Sequence, residues 1–507
     1  MTVYNDHFDR ISRGRQIARY GELPFRDFFD PGYFAAEFSS AAVQRLFGDN
    51  LFGEFVLAAA FIATGAVLVL LAARTLSRSW MIASIAAALA VLALPRAYDY
   101  DKFLFYPLGV VLAWRYLESR RVRDLAFVAA GIVAAALYRY DSAMYVGITA
   151  LVAVAAAHWR DWRILAARLG VLAMLGVAIA APFLLFVGMT SGLREAADQV
   201  VTYGVSEARP LQLLVVDPDA SGPSWLHRLR LPPHLFNRRE GAFLYFIVVS
   251  LPLIAAGMLV AARWRHTPPD ARVWVVIAAA VALNLFILRP PIAARIGGMS
   301  GVPAILGAWI ASHAWRSGWL MKGVTVAAAA VIVWSVRGTA DWPERFRTHL
   351  TFPERVQSHV AALRDTPPAP ERLDASHLKE LAVYLRNCTL PTDRLFATWF
   401  VPELYFFAQR PFSGRMAATW QWMDIRFQRR SAAALGAHSP IVIVQSGGYR
   451  AFAESYPVIE WTLRESFREA GRASFGSPES GSDYRILVKK DRVATGIDAA
   501  TGLACFA

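Results

Sequence analysis

Three short stretches of this chain bring carboxylates and cations together at spacings that chemistry can use. NDHFDR holds Asp6, His7, Asp9 and Arg10 near the N-terminus, with Asp27 and Asp30 a little further on. RAYDYDK holds Asp99, Asp101 and Lys102, and RYDSAMY holds Arg139 and Asp141. A carboxylate within about 3 Å of a hydroxyl can take its proton as a general base, and a cation nearby can hold negative charge as it develops on a leaving group. The plainer alternative for each acid is a cap or a solvated turn. Asp99 and Asp101 could instead pair with Lys102, orient a substrate or hold a divalent cation; their spacing suits a metal only outside a helix. A fourth stretch, VPELYFF, offers Glu403 and Tyr405 as cavity groups, unless its aromatics are simply core.

Other chemistries lack their signatures. The chain has no phosphate-binding glycine loop, no HExxH or CxxC spacing and no serine nucleophile elbow. Of its 507 residues 56% are hydrophobic and only 18% charged, below the roughly 25% of a soluble domain. The apolar residues fall into ten blocks of the length needed to cross hydrocarbon or a little less. They run 52–73, 80–94, 103–116, 125–138, 143–157, 165–189, 242–262, 273–288, 296–312 and 320–336. The net charge of +14 is therefore no pointer to nucleic acid, because many arginines sit in short loops between apolar blocks. If the blocks alternate across a bilayer, thirteen basic residues fall on one side of the short loops and five on the other. The positive-inside rule makes the richer side cytoplasmic and puts the N-terminus, and all three acid clusters, outside. Ionisable groups at the outer ends of apolar helices are costly unless hydrated, paired or functional, so their shared side predicts one outward-facing cavity.

The expected fold class is a polytopic α-helical membrane protein with a small C-terminal periplasmic α/β domain. The expected divisions are a periplasmic catalytic loop segment over 1–51, a bundle of about ten helices over 52–336, and the α/β domain over 337–500. A long outer loop at 190–240 is expected to lie on the bilayer surface, with an amphipathic part at Leu193–Tyr203. In the C-terminal domain strands are expected at Arg394–Trp399, Ile441–Val444 and Tyr484–Val488, and helices from Pro402 and over Glu460–Ala470. The last ten residues read as a disordered end, and Cys388 and Cys505 as free thiols.

Taken in order, NDHFDRISRGRQIARYGELPFRDFFDPG, YDYDKFLFYPLGVVLAW, RYDSAMYVG and LPTDRLFATWFVPELYFFAQRP resemble the GT-C superfamily of polyprenyl-phosphate-sugar-dependent glycosyltransferases. The resemblance is to members similar to protein O-mannosyltransferases and the lipid A aminoarabinose transferase, and it covers nearly the whole chain. It implies a GT-C-like bundle in the bacterial inner membrane, with its site on the periplasmic face. It also implies inverting transfer of a sugar from an undecaprenyl-phosphate type carrier to a hydroxyl on an envelope lipid, glycan or protein. The family's catalytic acid falls on Asp6, with Asp9 as the fallback and His7 where many relatives carry a second acid. Its second-loop acid falls on Asp101 or Asp99, and Arg139 with Asp141 matches a later motif. One base suffices for a single inverting displacement, and Arg10, Lys102 and Arg139 are the candidates to hold the lipid phosphate. Members of the superfamily carry a membrane helix before this loop, so an apolar segment is expected upstream in the reading frame. The rival readings are a lipid-linked glycan flippase or transporter, a polymerase or ligase of lipid-linked glycans, and a non-catalytic envelope scaffold.

Overall fold

The computed structural model describes residues 5–93, 99–208, 239–264, 270–287, 293–339, 351–370, 373, 376–419, 422–476 and 482–507. They divide into two compact units. One holds Ala58–Phe186 and Glu207–Thr351; the other holds Val3–Leu57, Val187–Ser206 and Phe352–Ala507. The N-terminal segment, expected as a separate loop, thus belongs to the same unit as the C-terminal domain. It is also helical.

The first unit is built from α3 (Phe52–Ser77), α4 (Trp80–Leu92), α5 (Tyr100–Ser119), α6 (Val122–Tyr138), α7 (Tyr140–His158), α8 (Trp162–Thr190), α10 (Arg239–Trp264), α11 (Ala271–Ile287), α12 (Ala293–Met299), α13 (Gly301–Arg316) and α14 (Trp319–Thr339). α3, α7, α8 and α14 are long and apolar enough to cross a membrane. The block expected over 296–312 is broken at Ser300. There the Ser300 hydroxyl lies 2.9 Å from the Ala90 carbonyl and 2.8 Å from the Gly297 carbonyl, so its one proton is shared between them. Small residues let the helices approach closely. A Cβ on Gly65 of α3 would lie 2.3 Å from the Phe103 carbonyl oxygen of α5, so the two backbones almost touch. Ala83 and Ala86 of α4 pack with Ala73 of α3 and Ala308 of α13.

The second unit joins α1 (Asn5–Tyr20), α2 (Phe34–Phe47), α9 (Leu193–Ala208), α15 (Phe352–Arg364), α16 (Ser376–Cys388), α17 (Pro402–Ala408), α18 (Ile425–His438), α19 (Tyr449–Ser455) and α20 (Pro457–Ser466) to a small sheet. Its strands are β1 (Leu395–Ala397), β2 (Ile441–Gln445), β3 (Phe467–Phe475) and β4 (Ser482–Lys489), in the order β1-β2-β4-β3. β1 and β2 are parallel, with Leu395 opposite Ile441; the other pairs are antiparallel. The helix expected over Glu460–Ala470 ends at Ser466, because the next nine residues pair with β4 as an edge strand. The burial of Phe467 and Phe475 outweighs the mixed polarity between them. Arg337, expected to open the soluble domain, still lies in α14.

The C-terminal end corrects two expectations. β5 (Gly496–Ile497) and β6 (Ala504–Cys505) form a hairpin, and Leu503 and Phe506 are buried. Cys505 is joined to Cys388 in a disulfide, and the Phe506 amide donates to the Cys388 carbonyl at 2.7 Å. The end is therefore part of the core, and its cysteine is not free. α9 is likewise built in: Gln199 donates to the Phe25 carbonyl and accepts from the Asp30 amide, both at 3.0 Å. Leu193, Val201 and Val205 on its other side stay exposed. The rest of the expected surface loop, 209–238, lies outside the described residues.

Candidate active site

α1 positions the first cluster. Its apolar stripe, Phe8, Ile11 and Ile17, is buried, and Gly14 admits α2 so closely that a Cβ there would lie 2.5 Å from Ser40 Oγ. α17 docks on another side. The Ser12 hydroxyl donates to the Pro402 carbonyl at 2.9 Å, and the Phe8 ring lies 5.6 and 5.4 Å from those of Phe406 and Phe407.

On this frame Asp6 and Asp9 have opposite fates. Asp6, in the first turn of α1, is exposed. Asp9 is 5% exposed and lies 3.1 Å from Arg13, which in turn lies 3.1 Å from Glu37. Burial pushes the Asp9 carboxyl up; Arg13 opposes this and the Asp6 charge adds to it. Burial pushes Asp30 up to about 6, against the amides of Tyr33 and Gly32 and the Arg13 charge. Glu37 rises well above its usual range, from burial first and the Asp30 charge second. Arg13 is thus the cation among three buried acids. His7 is not a second solvent-facing base: it is 1% exposed, and its Nε2 lies 3.2 Å from Glu54 Oε2. The Ser40 hydroxyl donates to the same carboxylate. The Arg10 guanidinium lies 5.2 Å from the Tyr33 ring centroid and is buried.

Glu403, in the first turn of α17, is 5% exposed, and its Oε2 has no hydrogen-bond partner among the described residues. Burial pushes its carboxyl up to about 7, its own backbone amide opposes, and the Asp6 charge adds to the rise. Tyr405 is not a cavity group. It is buried in the core, where its hydroxyl accepts from the Ala397 amide at 3.2 Å.

In the other unit Asp99 precedes α5, Asp101 lies in its first turn, and Lys102 follows. Asp99 and Lys102 form a buried ion pair, so the Asp99 carboxylate is committed to a cation on its own helix. Asp101 is fully buried. Gly298 comes so near that a Cβ on it would lie 2.8 Å from Asp99 Cβ. Arg139 links α6 to α7 in extended conformation, and its Nε lies 2.6 Å from Asp141 in the first turn of α7. Asp6, Asp101 and Asp141 all occupy first helical turns, where a carboxylate stabilises the helix dipole by roughly 0.3–1 kcal/mol whatever else it does. Among the described residues no group of three or more His, Cys, Asp or Glu is placed to hold a metal ion.

Reading the sequence missed Arg13, Glu37, Glu54 and Ser40. The available signal was a pair of acids, Glu37 and Glu54, each amid apolar and small residues with no cation within four positions. No protein-family model matches the chain, and no curated protein matches it.

Proposed function

We propose that the chain is a polytopic membrane glycosyltransferase. In this reading it moves a sugar, with inversion, from a polyprenyl-phosphate carrier to a hydroxyl acceptor on the periplasmic face of a bacterial inner membrane. The observation that carries this is the contrast within α1: Asp6 is exposed while Asp9 is buried against Arg13. A general base must reach its substrate, and Asp6 is the acid of that helix that can. The acceptor hydroxyl gives its proton to Asp6 as its oxygen bonds to the anomeric carbon. The bond from that carbon to the carrier phosphate breaks, and the electron pair leaves on the phosphate. Glu403, protonated below about pH 7, is fitted to donate a hydrogen bond beside that base.

Two further features support the reading. Four helices are long and apolar enough to span a bilayer, which suits a lipid-borne donor. The Cys388–Cys505 disulfide suits a unit that folds in an oxidising compartment. The test is Asp6→Asn in the full chain, assayed for sugar transfer from a polyprenyl-phosphate donor and for thermal stability. The expected outcome is a rate loss of about 10²–10⁴-fold with stability lowered by no more than the roughly 0.3–1 kcal/mol of the helix-dipole contribution. Transfer at the parental rate would remove Asp6 from the mechanism.

A further inference from the structure

One end of the first unit's helices carries a concentration of positive charge that no acid among the described residues neutralises. α3 ends and α4 begins around Arg78; α13 ends and α14 begins around Gly318. The two turns meet, because Arg316 donates to the Ser77 carbonyl at 3.1 Å. This corner holds Arg74, Arg78, Arg316 and Lys322, and among the described residues none of the four forms an ion pair. The sequence leaves no local acid to serve, since neither 55–92 nor 293–339 contains Asp or Glu. Elsewhere at this end two arginines have acids to match them: Arg115 lies 2.6 Å from Asp124, and Arg272 3.2 Å from Glu118.

The corner is also edged with exposed indoles. Trp80 is 57% and Trp319 83% exposed. Arg74 lies 5.3 Å over the Trp80 ring and Lys322 5.7 Å over Trp315. Arg74 Nε is buried without an acceptor among the described residues. Arg78 sits at φ 57°, a left-handed conformation that disfavours any side chain with a Cβ, yet the position carries an exposed cation and not a glycine. Beneath lies the alanine packing of α3, α4 and α13, which gives the corner a fixed shape. Indoles at the ends of membrane-length helices mark the level of the headgroups. Four unmatched cations at that level select a negatively charged headgroup, each adding roughly 1 kcal/mol of attraction near an anionic surface.

We propose that this corner is a binding site for the headgroup of an anionic phospholipid, its phosphodiester held between the α3–α4 and α13–α14 turns. The site does not depend on sugar transfer.

The test is native mass spectrometry of the full chain taken from vesicles of phosphatidylcholine and of phosphatidylcholine with phosphatidylglycerol. The parent is expected to retain phosphatidylglycerol in preference to phosphatidylcholine. Arg78→Gln with Lys322→Gln should lower that preference roughly tenfold, while Arg160→Gln with Arg163→Gln, at the α7–α8 turn, should leave it unchanged. Should the first pair fail to fold, Lys322→Gln alone and the parent at raised salt serve instead; both should retain less phosphatidylglycerol, since exposed charges are screened. Inorganic phosphate should not displace the lipid. No preference in the parent, equal retention by the corner variant, or displacement by free phosphate would each overturn the proposal. Sugar transfer, measured on the same preparations, reads out the separate reading of Asp6.

Discussion

Arg13 and Glu37 meet at 3.1 Å with both side chains almost wholly out of water. Neither is tolerable there alone, because an ion stripped of solvent must be matched by charge and hydrogen bonds. Arg13 also holds Asp9, so one side chain compensates acids on both α1 and α2. Arg13→Met should cost about 3–5 kcal/mol of stability in the second unit, read as a loss of melting temperature in detergent. Adding Glu37→Gln should restore part of the loss. A double variant no more stable than the single one would mean that packing, not charge, is what Arg13 provides.

The acids that burial has pushed up set the pH response. Glu403 goes from 4.5 to about 7 on folding, and Asp30 from 3.8 to about 6. Each binds its proton more tightly folded than unfolded, so its contribution is fully present below the unfolded value and is lost as pH rises through the folded one. The second unit should lose stability between about pH 4 and pH 7. Glu403→Gln should make that slope shallower by up to about 3 kcal/mol and leave the part that Asp30, Asp9 and Glu37 contribute. Denaturant titrations at several pH values decide it, and a variant with the parent's slope would be evidence against the assignment.

The disulfide fixes the end of the chain. Cys388 and Cys505 are 117 residues apart, and removing a native bridge costs about 2–5 kcal/mol. Cys388→Ser with Cys505→Ser should melt earlier by that margin. In the parent, a thiol-reactive label should add only after reduction. Labelling of the unreduced, folded chain would show that the bridge does not form.

Close helix contact in the first unit is open to the same kind of test. Gly65→Ala sets a methyl group against a backbone carbonyl and should destabilise by several kcal/mol, since overpacking costs typically about 1–3 kcal/mol even where side chains yield. Gly147→Ala, on α7 with open space around it, is the control and should be neutral or slightly stabilising. Equal melting temperatures for the two variants would refute the contact.

The parts of the fold governed by periodic apolar pattern were legible beforehand. Each of the ten apolar blocks falls within a few residues of a helix, with 296–312 split in two, because burial of a continuous stripe dominates local preference. β1, β2 and β4 were legible for the same reason. β3 was not, since its interior residues alternate poorly and only its two phenylalanines betray the edge strand. The pairing of Cys388 with Cys505, and the setting of Glu37 and Glu54, depend on neighbours far away in sequence. The resemblance put Asp6 ahead of Asp9, but the physical difference between them lies in the turn of the helix, which leaves one exposed and sets the other against Arg13.

The hydrogen bond from Ser12 to Pro402 closes a span of 390 residues. During biosynthesis at about 5–20 residues per second, α1 waits roughly 20–80 s for the segment it packs against. Throughout that interval every helix of the first unit is being made, while Arg13 and its acids have no finished interior to enter. α1 thus leaves the ribosome long before its partner helix and is among the last elements to reach its native setting, which makes it a natural place for a chaperone or a protease to act on an incomplete chain.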